Sequence, residues 1–156
     1  VIEITIPGRG NYTIKNLVLD LNGTIAIDGK MIQGVKEKVA ILSQKLDVFL
    51  VTADTNKNAE LLTRDLPITL YKIKEAEEND QKLRIVLKKG KNNTVSIGNG
   101  CNDISMLKES AIGICIVGGE GASAEAMMAS DLVIPAINDA LDLLLKPYRL
   151  RATLRR

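Results

Sequence analysis

Four polar clusters hold the side chains that could do chemistry, and each sits at or near the end of a short apolar run. They are Asp20-Leu21-Asn22-Gly23-Thr24, Thr52-Ala53-Asp54, the surroundings of Lys82, and Gly98-Asn99-Gly100-Cys101-Asn102-Asp103. Together they offer a carboxylate, a hydroxyl, an ammonium and a second carboxylate. A carboxylate can attack phosphorus and form an aspartyl phosphate, provided that cations offset its repulsion from an anionic substrate. Asp20 suits that nucleophile. Lys82 suits the ammonium that neutralises charge in the transition state, and Thr52, the backbone amide of Ala53 and the Asn102 side chain suit phosphoryl oxygens. Magnesium prefers octahedral oxygen ligands and keeps several waters, so Asp20, the Asn22 carbonyl, the Asn99 side-chain oxygen and, directly or through water, Asp103 form a partial shell. Histidine is absent, which removes every mechanism that needs an imidazole.

The elements that must position these clusters follow from periodicity. Ile2, Ile4 and Ile6 alternate with polar residues, Gly8 to Asn11 turn the chain, and Tyr12 and Ile14 resume the alternation. This predicts an antiparallel hairpin over 1–16, extending one edge of the fold. The run Leu17-Val18-Leu19 predicts a buried strand that delivers Asp20. After it, helical spacing of Val35, Val39, Leu42 and Leu46 alternates with the apolar run 48–51, and the same grammar repeats to a helix over 137–145. Strands alternating with helices in short steps predict an α/β fold with a doubly wound parallel sheet, whose ligands bind at the carboxyl ends of the strands. Nothing divides the 156 residues, so one domain is expected, with its core over 17–145 and a basic tail over 146–156.

The ordered motifs DLNGT (from Asp20), VTAD (from Val51), Lys82 and GNGCND (from Gly98) resemble those of the haloacid-dehalogenase-like superfamily over about 17–145. The stretch GNGCNDISMLKESAIGICIVGGEGA is similar to the hinge motif of P-type ATPases and the segment beyond it, as in soluble P-type-ATPase-like proteins. The resemblance implies that Asp20 is phosphorylated, that Thr52 and Lys82 bind phosphate, and that Asn99 with Asp103 forms the magnesium side. It implies a magnesium-dependent phosphohydrolase acting on a phosphomonoester or a nucleotide. Two positions depart from the pattern. Superfamily phosphatases usually carry an acid–base aspartate where this chain has Asn22, and P-type ATPases carry threonine there. Asn22 cannot exchange a proton at neutral pH, which points to slow hydrolysis. Asn99 stands where a metal-binding aspartate is usual, which weakens metal affinity. A binding or regulatory protein that has lost catalysis is the rival class.

Simpler roles exist for the same residues. Asp20 can be a turn carboxylate, Thr52 and Asp54 can cap a helix starting near Thr55, Lys82 can be solvated, and Asp103 can oppose a helix dipole without metal. Gly118-Gly119-Glu120-Gly121 lacks the spacing of a phosphate loop and reads as a turn. The segments after Thr24, Thr52 and Lys72 are too short to hold an inserted cap domain. The crevice is therefore expected to be open, as in the capless deoxy-octulosonate-phosphate phosphatases that close it with neighbouring subunits, and a homo-oligomer is expected.

Charge and cysteine usage bound the rest. Lys and Arg number 21 against 19 Asp and Glu, too balanced to favour nucleic acid or a membrane surface. Cys101 and Cys115 have neither disulfide-framework nor zinc spacing, and Cys101 reads as a small packed side chain. No apolar run approaches the ~20 residues that span a bilayer, so a soluble cytoplasmic protein, and not a cation pump, is expected. The basic tail reads as a solvated end.

Overall fold

The computed structural model describes residues 1–54 and 57–156. Strands β1 (Ile2–Ile6) and β2 (Gly10–Ile14) pair antiparallel, Ile2 opposite Ile14 and Ile6 opposite Gly10. Because successive strand residues point to opposite faces, Ile2, Ile4 and Ile6 all turn inward while Glu3 and Thr5 stay exposed. The hairpin does not extend the main sheet, as the sequence suggested, but forms a sheet of its own. The reason is its exit: Lys15 passes its backbone N–H to Asn93 and accepts from the Asp47 N–H, which delivers the chain to the middle of the main sheet. The isoleucine face then packs onto the core.

That middle strand is β3 (Asn16–Asp20), buried throughout. A small antiparallel pair, β4 (Ala26–Ile27) and β5 (Lys30–Met31), follows the Asp20 loop; strands of two residues leave no periodic signal. Then come α1 (Val35–Leu42), β6 (Asp47–Thr52), α2 (Asn58–Thr63), β7 (Thr69–Lys72), α3 (Glu78–Lys89), β8 (Thr94–Gly98), α4 (Ile104–Glu109), β9 (Ile112–Ile116), α5 (Ala124–Ala129), β10 (Leu132–Ile134) and α6 (Ile137–Leu145). The helix start expected near Thr55 lies outside the described residues. Six strands pair in the order β10-β9-β8-β3-β6-β7, all parallel.

Both faces of this sheet are covered, as its uninterrupted apolar strands require. Leu17, Leu19, Leu50 and Ile97 pack with Val35, Val39 and Leu42 of α1 and Ile137, Leu141 and Leu144 of α6. On the other face Val18, Phe49 and Val51 meet Val86 of α3 and Met106 of α4. Register then brings the strand ends to one level: Leu19 of β3 stands opposite Ile97 of β8, and Asp20 opposite Val51 of β6.

The basic tail is not a solvated end. Residues Pro147–Leu154 form a further helix, α7, with proline at its first position, where the missing N–H costs no hydrogen bond. Leu150 is fully buried and Leu154 nearly so, and they join the core cluster that holds Ile2, Ile4 and Ile6. The spacing of four residues places both leucines on one side of the helix and leaves the arginines outside. Leu150→Ala is therefore expected to cost about 2–4 kcal/mol in denaturant unfolding, whereas Arg151→Ala should stay within ~0.5 kcal/mol; equal effects would return the segment to a loosely attached tail.

Candidate active site

Asp20 ends the central strand, and its side chain is almost wholly enclosed. Its Oδ1 lies 2.8 Å from Lys82 Nζ, and its Oδ2 accepts from Thr24 Oγ1 at 3.0 Å. Lys82 comes from α3, where it is 1% exposed, and its Nζ also lies 2.7 Å from Asp103 Oδ1. One ammonium is thus held between two buried carboxylates. Burial, and then repulsion from Asp103, pushes the Asp20 carboxyl up from its ordinary value to about 6, against the pull of Lys82. Burial works against the Lys82 charge, but the two aspartates outweigh it and hold its pKa above the ordinary lysine value. Lys82 is accordingly not a solvated surface lysine.

Asp103 is engaged on both oxygens. While Oδ1 meets Lys82, Oδ2 accepts from the backbone N–H groups of Asn99 and Gly100, each at 3.0 Å. The carboxylate folds so closely under Gly98 that an added Cβ there would fall 2.5 Å from its Cγ. Asp103 therefore fixes the loop that presents Asn99. The Asn99 side chain is anchored at both ends: Oδ1 accepts from Thr24 Oγ1 at 3.3 Å, and Nδ2 donates to the Gly121 carbonyl at 3.1 Å. One buried hydroxyl, Thr24, consequently touches both the Asp20 carboxylate and the Asn99 amide oxygen.

These oxygens suit a hard divalent cation. Asp20 Oδ2 and Asn99 Oδ1 converge on Thr24, and the Asn22 carbonyl belongs to the same turn. Among the described residues no group of three or more His, Cys, Asp or Glu side chains is arranged to hold a metal. A cation bound here would rest on carboxylate, amide and carbonyl oxygen, a donor set for magnesium rather than zinc.

Above Asp20 opens a cavity of about 460 Å³ lined by Asp20, Asn22, Thr52, Ala53, Asp54, Glu75, Glu78 and Asn102. The structure thus brings Asp20, Asn22, Thr52, Ala53 and Asn102 to one space, while Lys82, Asn99 and Asp103 stand outside its lining. Thr52 Oγ1 accepts from the Asp54 N–H at 3.1 Å, and Asp54 Oδ2 accepts from the Ala59 N–H at 2.9 Å, so this loop also ties strand β6 to α2. Asn102 Nδ2 donates to Glu78 Oε2 at 2.6 Å. Sequence reasoning missed Thr24 as the linking hydroxyl and missed Glu75 and Glu78 on the wall. The DLNGT spacing could have marked Thr24; only tertiary packing brings the glutamates in. Cys101 is exposed, not packed as expected, because its neighbours Asn102 and Asp103 take the inward positions. Cys115 is buried, which pushes its thiol up to about 11, and both cysteines are free.

A central parallel strand ending in an aspartate, flanked by strands ending in threonine and in a GNG loop, with a lysine supplied from α3, the helix that precedes the GNG strand, is the arrangement of the haloacid-dehalogenase-like fold. No family model matches the sequence. The chain is 48% identical over 86 residues to the uncharacterized protein MJ0073 of Methanocaldococcus jannaschii, covering 53% of this chain and 92% of that one. It is 30% identical over 136 residues to a copper-exporting P-type ATPase of Staphylococcus epidermidis, covering 85% of this chain but 16% of the ATPase. Among solved structures, the cobalt-bound deoxy-D-mannose-octulosonate 8-phosphate phosphatase of Haemophilus influenzae superposes with a TM-score of 0.72 at 13% identity over 92% of this chain and 94% of that one. The Moraxella catarrhalis 3-deoxy-D-manno-octulosonate 8-phosphate phosphatase, in complex with magnesium, phosphate and its sugar, gives 0.67 at 16% identity over 91% and 94%. The chain belongs to one family with MJ0073, and its fold is the haloacid-dehalogenase-like fold of these phosphatases.

The raised carboxyl of Asp20 has a signed consequence. Between its ordinary value of 3.8 and its folded value of about 6, the native chain keeps a proton that the unfolded chain has lost. Stability from this group is full below about pH 4 and is lost as pH rises through 6. In cation-free buffer, Asp20→Asn should therefore be more stable than wild type at pH 8 by about 3 kcal/mol, with the gap closing at pH 4. Denaturant titrations at the two pH values check this; a variant less stable at pH 8 would show that the Lys82 ion pair outweighs the desolvation of Asp20.

Proposed function

We propose that the protein is a magnesium-dependent phosphohydrolase acting on a small phosphomonoester or a nucleotide through an aspartyl phosphate on Asp20. The observation that carries this reading is the enclosed Asp20 carboxylate, paired with Lys82 and facing a cavity walled by Thr52, Ala53 and Asn102. Asp20, ionised above about pH 6, attacks phosphorus as the bond to the leaving oxygen breaks. Lys82 offsets the charge on Asp20 and holds its free oxygen in place. The Thr52 hydroxyl and the Ala53 backbone amide take the phosphoryl oxygens from the cavity side, and Asn102 adds an amide to the rim. Water then displaces phosphate from Asp20. Asp20, the Asn22 carbonyl and Asn99 would hold a divalent cation, which would neutralise charge on the phosphoryl group.

Support comes from the fold shared with phosphatases described with magnesium or cobalt and from the sequence similarity to a P-type ATPase. Asn22 lines the cavity where a proton donor would serve the leaving group, and an amide cannot perform that transfer. Both steps of the reaction are slow as a result. Among the described residues no helix is long and apolar enough to cross a membrane.

Intact-mass spectrometry after incubation with magnesium and acetyl phosphate or ATP tests the reading. Wild type should gain a phosphoryl adduct that hydroxylamine removes, and Asp20→Ala should gain none. If neither protein shows an adduct or turnover, the fold serves binding rather than catalysis. Asn22→Asp should raise turnover of p-nitrophenyl phosphate about a hundredfold, measured as kcat; an unchanged kcat would mean that proton transfer is not the deficit.

A further inference from the structure

Asn99 holds the place of a charged metal ligand, and the structure shows what surrounds the substitution. Gly23, at φ +77°, lies against a tight recess: a Cβ built on it would fall 2.5 Å from Asn99 Nδ2 and 2.5 Å from Glu120 Oε2. The carboxylate of Glu120, a solvent-exposed residue, and the Asn99 amide nitrogen therefore both approach the bare backbone of Gly23. The Asn99 backbone carbonyl accepts from the Ser123 N–H at 2.9 Å, and Nδ2 donates to the Gly121 carbonyl, so the 118–123 loop is built onto Asn99 from both directions.

We infer that Glu120 is a positioning residue for the cation site, acting through Asn99; this rests on the phosphohydrolase reading above. An asparagine side chain can turn either its oxygen or its nitrogen toward a given side, and only the oxygen can bind magnesium. With its nitrogen beside the Glu120 carboxylate and the Gly121 carbonyl, the amide turns its oxygen toward Thr24 and Asp20. The flipped amide would set oxygen against carboxylate and carbonyl, which is repulsive. Glu120 thereby fixes the useful orientation and restores, one residue further out, the negative charge that Asn99 lacks. It also explains why an amide is tolerated here: an aspartate at 99 would face Glu120 and the Gly121 carbonyl as a like charge. Groups one step behind a metal ligand commonly change metal affinity about 10–100-fold.

The test reads cation binding without catalysis, from the rise in melting temperature with magnesium concentration. Glu120→Gln should weaken magnesium binding about tenfold and leave the cation-free melting temperature near the wild-type value. Glu125→Gln, an exposed carboxylate nearby on α5, should leave both unchanged. Asn99→Asp should gain more magnesium affinity in the Glu120→Gln background than in wild type. Magnesium affinity in Glu120→Gln within twofold of wild type, or purely additive effects of the two substitutions, would overturn the inference while leaving the phosphohydrolase reading intact. Absence of any magnesium response in wild type would instead overturn the metal-dependent reading and this inference with it.

Discussion

Three buried charges, Asp20, Lys82 and Asp103, hold the site together. Enclosing three ions is costly in desolvation, and attraction recovers it only where geometry and further hydrogen bonds are good. Here Lys82 Nζ sits 2.8 Å from one carboxylate and 2.7 Å from the other, and the remaining oxygens accept from Thr24, Asn99 and Gly100, yet the recovery is incomplete, because the Asp20 carboxyl still rises to about 6. The triad also has a topological role. Asp20 ends the central strand, Lys82 comes from a helix on one face, and Asp103 closes the loop after the neighbouring strand. Three separate parts of the chain meet on one nitrogen, so the register of the cavity wall depends on a single side chain.

Much of this was legible in the sequence because its signals were local. Apolar runs of three to five residues followed by polar loops specify a parallel strand and its active end, and the alternation with helical spacing specifies cover on both faces. Asp20, Thr52, Asn99 and Asp103 were singled out through their loops and Lys82 through the resemblance alone. What escaped was whatever depends on tertiary placement or runs against composition. Five basic residues in the last eleven masked Leu150 and Leu154, which are too few to make a pattern yet sufficient to seat a helix. The hairpin was recognised but misplaced, since alternation reveals a strand's inner face and says nothing about which partner that face meets. Glu75 and Glu120 lie in bends or turns and Glu78 opens α3, and their polarity is unremarkable until the fold brings them near the Asp20 loop.

The two amides in the loops are informative when taken with those glutamates. The cavity already carries Asp54, Glu75 and Glu78 besides Asp20, so carboxylate oxygens already crowd its wall. A carboxylate at 22 would add one more negative group to that wall. Under the proposed reading, amides at 22 and 99 would keep oxygen for a cation and shed charge, at the loss of the proton transfer that only an acid provides.

The packing of the first strand against the last helix bears on how the protein is made. Ile2, Ile4 and Ile6 share one apolar cluster with Leu150 and Leu154, so the elements that cover one another are separated by nearly the whole described chain. Contacts of such long range form late and slow the search for the native state. During synthesis from the amino end, the isoleucine face emerges early and waits for α7 to leave the ribosome before its cover is complete. In that interval the isoleucine face lacks its α7 cover and is open to chaperones and to wrong association.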